Sequence, residues 1–451
     1  MRFRTSLPAW SLLVFGTLSL QASYASAQVV GYGPRPERPD RALFKSGLEN
    51  AGDRLEVNGS AGAGWDNNIL LDLPGVSDPR AARGEKGTVY NGSGTLSYAK
   101  IRSKGVFSAS VASSTRYYPG QTIDHIVGHS GNVAGEYAFS ERTSFAASQG
   151  VSYQPFTFSS LFPGSFEPTE QLAPVQSPSL ELAANKKQYL QYVSAVRLSH
   201  QMTRRTSFIS GYHFDQSDTA YGAGKFTNQG GNAALKFATT KNLALRAGYG
   251  YQEGRYAGAA TPIRYHNIDA GIDYNRALSF SRRTTVSFGT GSTAISNGTS
   301  THYQITGNAQ LNHEIGRTWQ ATISYDRSFQ FVSALVQPIF YDAASAGIGG
   351  LMNRRVRVQA TARAMVGTMG VDTIRGGNND FDSYQGLGTM SIALSRHIDV
   401  GVNYTAYRYR FDSAVLLPVG VARDVNRQSV SVYVDVWAPL YNRARRDNAS
   451  R

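Results

Sequence analysis

The chain of 451 residues has no cysteine and eight histidines. A thiolate ligand or nucleophile is therefore not available, and His, Asp and Glu are the residues to weigh for a metal or acid–base site. His125 and His129 stand four apart, a spacing that shares a face and can hold zinc on a helix. In an extended segment the same two rings lie about 13 Å apart, too far to share an ion. His213 with Asp215, and His313 with Glu314, each pair a base with an acid. No serine is ordered with either pair, and Gly128-His129-Ser130-Gly131 lacks nucleophile-elbow spacing. Gly248-Tyr249-Gly250 sits inside a strand pattern and opens no helix, so it is no dinucleotide-binding turn. Neither an enzyme nor a cofactor or metal site is expected.

The remaining chemistry lies in charges interleaved with apolar residues. Arg116, Lys236, Arg246, Arg357 and Arg363, with Glu136, Asp269, Asp273 and Asp326, occupy the polar phase of alternating segments. The run Tyr303-Gln304-Ile305-Thr306-Gly307-Asn308-Ala309-Gln310-Leu311-Asn312 shows the alternation most cleanly. A strand turns successive side chains to opposite faces, so each segment has one apolar and one polar face. A charge facing lipid near the bilayer midplane costs roughly 2–4 kcal/mol. These nine residues are therefore expected to line a lumen or sit at a rim. There they set ion preference as rings of charge, or stiffen the wall as ion pairs.

Eighteen such segments follow one another, giving an all-β fold: a transmembrane antiparallel up-and-down β-barrel of about eighteen strands. Arg2 and Arg4, the apolar stretch Trp10–Leu20 and Ala25-Ser26-Ala27 mark residues 1–27 as a signal peptide. Residues 28–53, rich in Pro, Gly and charge, form a periplasmic lead-in. The barrel is expected over 54–440, followed by a basic tail, 441–451. No later stretch has 18 consecutive apolar residues, so no transmembrane helix is expected. An even strand count places both chain ends in the periplasm. The weakest strand signal falls near Gly347–Asn353. The longest excursion, 157–186, carries Pro163, Pro168, Pro174 and Pro178 and reads as a lumen constriction or an outer loop.

The short turns resemble one another: Ser140-Glu141-Arg142-Thr143, Thr203-Arg204-Arg205-Thr206, Ser281-Arg282-Arg283-Thr284 and Ser395-Arg396-His397. Acidic residues such as Asp218, Asp342, Asp382 and Asp412 fall in the opposite connections. Lys and Arg number 45 against 31 Asp and Glu, a net charge of +14. Basic turns along one rim give that excess a use, meeting anionic lipid headgroups. No basic helix, base-stacking motif or zinc motif accompanies the charge, so nucleic acid is not an expected partner.

The Ser/Arg/Arg/Thr turns, Trp65-Asp66-Asn67-Asn68, Arg116-Tyr117-Tyr118-Pro119 and the closing Val436-Trp437-Ala438-Pro439-Leu440 together resemble the β-barrel porin 2 family of bacterial outer-membrane proteins, over roughly residues 50–440. The resemblance implies a barrel in the outer membrane, delivered by the barrel-insertion machinery, and no particular substrate. Many such barrels end on an aromatic residue that this machinery recognises; here Tyr441–Arg451 follow Trp437. A barrel of 16–18 strands leaves an aqueous lumen unless loops fill it. The expected function is thus a porin-like channel for passive diffusion of small hydrophilic solutes. An export conduit for an anionic polysaccharide, which needs a continuous basic lumen, and a non-conducting structural or adhesive barrel are the alternatives.

Overall fold

The structure, a computed structural model, describes residues 42–46, 51–68, 86–119, 125–157, 183–219, 224–240, 242–259, 261–278, 281–296, 300–333, 335, 337–370, 379–417 and 422–444. The expected signal peptide, most of the lead-in and nearly all of the 157–186 excursion lie outside these residues. The strands are β1 (Ala51–Asp66), β2 (Gly87–Arg102), β3 (Gly105–Tyr117), β4 (His125–Ser140), β5 (Thr143–Thr157) and β6 (Ala183–Gln201). Then come β7 (Thr206–Thr219), β8 (Gly224–Ala238), β9 (Leu243–Arg255), β10 (Ile263–Leu278), β11 (Ser281–Ser296) and β12 (Thr301–Ile315). The last six are β13 (Trp319–Gln330), β14 (Ile339–Leu351), β15 (Val356–Met369), β16 (Asp380–Ala393), β17 (Ile398–Phe411) and β18 (Asp424–Ala444).

Each strand pairs antiparallel with its sequence neighbours, and β1 pairs with β18, so the eighteen strands close on themselves. Closure leaves no open edge, which a lipid environment requires. The strands outrun the expected ten residues. β14 begins at Ile339, eight residues before its anticipated start, and β18 continues to Ala444, beyond 440. That extension has a cause: Ala51 and Leu55 of β1 offer an edge that pairs with Ala444 and Tyr441. The start of β1, the end of β18 and the short turns share one rim, here the near rim; the longer connections join strand ends at the opposite, far rim.

Alternation fixes which way each strand faces. Val430, Val432, Val434 and Val436 are all exposed on one face of β18, as are Leu245 and Tyr249 on β9. These side chains form an apolar outer belt. The near-rim turns owe their likeness to one device, a hydroxyl or amide oxygen that accepts backbone N–H groups two and three residues ahead. Thr203 Oγ1 accepts from Arg205 N (3.2 Å) and Thr206 N (3.0 Å), and Ser395 Oγ from His397 N and Ile398 N (both 3.1 Å). Asn353 Oδ1 does the same for Arg355 and Val356. At Gly316 the turn needs φ +61°, a conformation that favours glycine.

Junctions are irregular in places among the described residues: β10 and β11 have no pair between Ile268↔Ser292 and Tyr274↔Phe288, and β12 parts from β13. β12 pairs with β11 from Thr301 to His313, but with β13 only from Gly307↔Arg327 to Ile315↔Trp319. Beyond Gly307 no pair joins β12 to β13 among the described residues. The Arg327 side chain reaches across instead, its Nε donating to the Ile305 carbonyl at 3.2 Å. Tyr303 and Ile305, on the departing stretch, are 77% and 74% exposed. Phe329, past the end of the pairing, turns inward and stacks on Tyr265 of β10 at 4.9 Å.

Candidate functional site

The polar face of the wall carries charge of both signs. Lys236 (β8), Arg246 (β9) and Asp273 (β10) meet there on three consecutive strands. Lys236 and Arg246 are directly opposed in register, which alone is unfavourable for two like charges. Asp273 relieves it: Lys236 Nζ lies 2.6 Å from Oδ2, and Arg246 Nη1 2.8 Å from Oδ1. Gly289 on β11 leaves the space beside them; a Cβ there would stand 3.5 Å from Asp273 Oδ1 and 2.8 Å from Asn308 Oδ1. Asp269 also lies on β10, opposite Gly248, with its side chain outside the described set.

A second constellation crosses β13–β15. Asp326 accepts from the hydroxyl of buried Tyr341 and lies within electrostatic reach of Arg363. A third stands at the near rim. Arg357 (β15) shares the electrostatic environment of Asp399 (β17), and Asp399 is directly opposed to Asp435 (β18). Beside them Glu56 of β1 takes Arg54 Nε at 3.1 Å and Trp437 Nε1 at 2.9 Å. Glu136 (β4) shares a row with Arg197 (β6), because the small buried Ala146 of β5 pairs with both. Arg116 stands apart, buried near the far end of β3 between Asn91 and Ile126.

Sequence reasoning did not single out Arg54, Glu56, Arg197, Asp399, Arg427 or Asp435. The same alternation marks them: Asp399 interrupts Ile398 and Val400, and Asp435 interrupts Val434 and Val436. The acid–base candidates separate or stand alone. His313 shares a face with exposed Ile315 and Glu314 takes the opposite one, while Thr284 Oγ1 contacts His313 Nδ1 at 2.7 Å. His213 and Asp215 share a face, but Asp215 Oδ1 is held by Gln191 Nε2 at 3.2 Å. Among the described residues no group of three or more His, Asp or Glu is placed to hold a metal.

Part of the far end of the interior is an apolar cluster. The β13–β14 loop folds inward, burying Phe331, Val332 and Leu335. Val332 and Leu335 join a cluster with Tyr341, Met365, Phe381 and Tyr409 of the β14–β17 wall and with Tyr189 of β6. β6 and β15 are nine strands apart in a ring of eighteen, so this cluster reaches across the barrel. Phe331 belongs to a neighbouring cluster with Phe226, Tyr256, Tyr265, Ile295 and Phe329. The 157–186 excursion, read as a constriction or an outer loop, lies almost wholly outside the described residues; among those described, Phe331, Val332 and Leu335 of the β13–β14 loop turn into the interior. Burying each such side chain contributes about 1.5–3 kcal/mol, enough to hold a loop of this length in place.

No protein-family profile and no curated protein matches the chain. Solved structures similar to it include Pseudomonas aeruginosa OccK2 (OpdF), at 9% identity and a TM-score of 0.45, covering 88% of this chain and 99% of that one. Acinetobacter baumannii OccAB4 is similar at 8% identity and a TM-score of 0.42, covering 87% and 99%. The siderophore receptor PiuA from Acinetobacter baumannii is similar at 9% and 0.42, covering 87% and 82%. What this chain is follows from its own strand pairing: a closed antiparallel barrel with an apolar outer belt and a charged inner face.

Proposed function

We propose that this protein is an outer-membrane channel for passive diffusion of small hydrophilic solutes. The observation that carries the reading is the opposition of the two faces around a complete ring of eighteen strands. The outer face suits hydrocarbon, and only a closed barrel or a helix satisfies its backbone there. The inner face offers Lys236, Arg246 and Asp273, then Asp326 and Arg363, then Arg357, Asp399 and Asp435, as a filter of alternating sign. Fixed charges of both signs give modest ion preference while keeping the passage wet. Loop 331–338 serves as the constriction at the far end, where aromatic and aliphatic side chains restrict solute size.

The mixed lumen argues against a conduit for an anionic polysaccharide, since carboxylates stand among its basic residues, as Asp273 does between Lys236 and Arg246. In planar bilayers the purified protein is expected to give discrete conductance steps. Proteoliposomes are expected to swell in small sugars and amino acids and not in large oligosaccharides. A folded barrel that gives neither would point to the non-conducting structural alternative.

A further inference from the structure

Two rings of the β13–β14 hairpin lie on the opposite side of the wall from the one their strands assign. Ile323 and Tyr325 are exposed on the outer face of β13, and Phe329 continues that phase. Ile348 is exposed on β14, and Phe340, the register partner of Phe329, continues its phase. Alternation therefore points both rings outward. Both are instead buried in the interior cluster with Tyr265 and Ile295, which stand on the inward faces of β10 and β11. Phe331 follows them, its ring taking the place of a Cβ at Gly254 of β9. The far end of the hairpin thus leans into the barrel and away from β12.

The lean opens the wall from the side. Continued past Gly307↔Arg327, the register would oppose Thr306 to Ser328 and Ile305 to Phe329, and neither pair forms. The split begins within the apolar outer belt. Ile305 pairs with Ser292, Ser292 with Ile268 and Ile268 with Tyr249, and the three apolar members of this row are all exposed. Behind the split lie Phe329, Tyr265 and Ile295. The cation at its edge is already compensated: Arg327 Nη1 donates to both oxygens of Asp342, at 3.1 and 3.0 Å, and its Cζ stands 5.0 Å from the Phe340 ring centre. Arg327 Nε spans the split to the Ile305 carbonyl. A backbone ladder broken at belt level is costly in hydrocarbon, and closing the wall does not call for it.

We propose that the β12–β13 split is a lateral portal through which hydrocarbon-bearing solutes pass between the interior cluster and the outer belt. The occupant is a hydrocarbon chain because the split is apolar at both ends and its bordering guanidinium is paired. Phe329 is the moving part: it is buried inside, while its strand phase offers it a second position on the outer face. A chain entering the split takes the place of the Phe329 ring against Tyr265. The portal shares with the channel reading an outer belt that faces hydrocarbon; it does not require the lumen to conduct water or ions.

Closing the split tests it in the full mature chain, in proteoliposomes, with folding checked by heat-modifiable migration on gels. The chain has no cysteine, so Thr306→Cys/Ser328→Cys places one thiol pair just beyond the last formed pair. Its disulfide shuts the split and a reductant reopens it. Thr306→Cys alone, capped with a bulky maleimide, obstructs the same place without a crosslink. A diazirine-tailed fatty acid is the probe, and tandem mass spectrometry assigns its adducts to residues. In the parent it is expected to label Tyr265 and Phe329 inside, and Val432 and Val434 outside. The disulfide and the cap are each expected to remove the inner adducts and leave the outer ones, and reduction of the disulfide to restore the inner ones. Inner adducts that survive both closures, or none in the parent, overturn the proposal. A phospholipid carrying the same diazirine tail is expected to label the outer residues alone; equal inner labelling by it makes the split a lipid crevice and overturns the portal. A barrel that never conducts ions defeats the channel reading and leaves the labelling result standing.

Discussion

Arg427 and Asp66 meet across the junction where the first and last strands close the barrel, 361 residues apart in sequence and both fully buried. Arg427 Nε lies 3.0 Å from Asp66 Oδ2 and Nη2 2.5 Å from the same oxygen. At the other end of this junction Trp437 donates to Glu56. The strand ends of greatest sequence separation are thus held by charge-assisted bonds at far and near rims alike. Bringing such ends together carries the largest loop-closure cost in the chain.

Removing one partner of that buried pair leaves an uncompensated charge and is expected to destabilise the barrel by about 3–5 kcal/mol. Asp66→Ala and Arg427→Met should each lower the urea midpoint of the detergent-solubilised protein. The double variant should recover part of the loss, because no charge is then stranded. A double variant as unstable as the sum of the singles contradicts a closing role for the pair.

Asp273→Asn leaves Lys236 and Arg246 opposed without their shared carboxylate. Loss of one inner negative charge shifts preference toward anions. At close range in water a unit charge acts with about 1 kcal/mol, a factor of roughly five in relative permeability. Reversal potentials under a KCl gradient read the shift, and movement toward cations would contradict the placement of this trio in the conduction path.

Leu335→Ala truncates a side chain that is 1% exposed in the far-end cluster. A core truncation of this kind costs about 2–5 kcal/mol, taken here largely from the inward position of the loop. Single-channel conductance should rise, and replacing 331–338 by a short Gly-containing turn should raise it further. Unchanged conductance in both variants removes this loop as the constriction.

The incomplete β12–β13 junction predicts uneven protection. Amides in 301–306 have a pairing partner on β11 alone, whereas those in 308–313 lie between two strands. Hydrogen exchange read by mass spectrometry should be faster in peptides from 301–306 than in those from 308–313. Equal protection would show that the junction is closed in solution.

The barrel was legible in the sequence because a closed wall with an apolar outer face and a polar inner face imposes a period of two on every strand. Val430–Val436 and Arg357–Arg363 declare their faces without any tertiary knowledge, and so did the eighteen-strand count. Partnership was not legible. Nothing local says that Asp399 opposes Asp435, or that Lys236 opposes Arg246, since register is a property of two strands. The inward loop was hidden for a different reason. Phe331, Val332 and Leu335 read as a short apolar connection, and the proline-rich 157–186 drew attention by length alone. β14 was blurred because its outward positions are small: Ala344, Ala346 and Gly350 give little contrast with inward Ser345, Gly347 and Gly349.

Planar-bilayer recording of the purified protein tests the central claim most directly. Discrete, ohmic steps whose ion preference moves toward anions in Asp273→Asn and toward cations in Lys236→Gln are the predicted result. A correctly closed barrel that inserts and passes no current, or whose preference ignores both substitutions, would contradict a water-filled path past these residues.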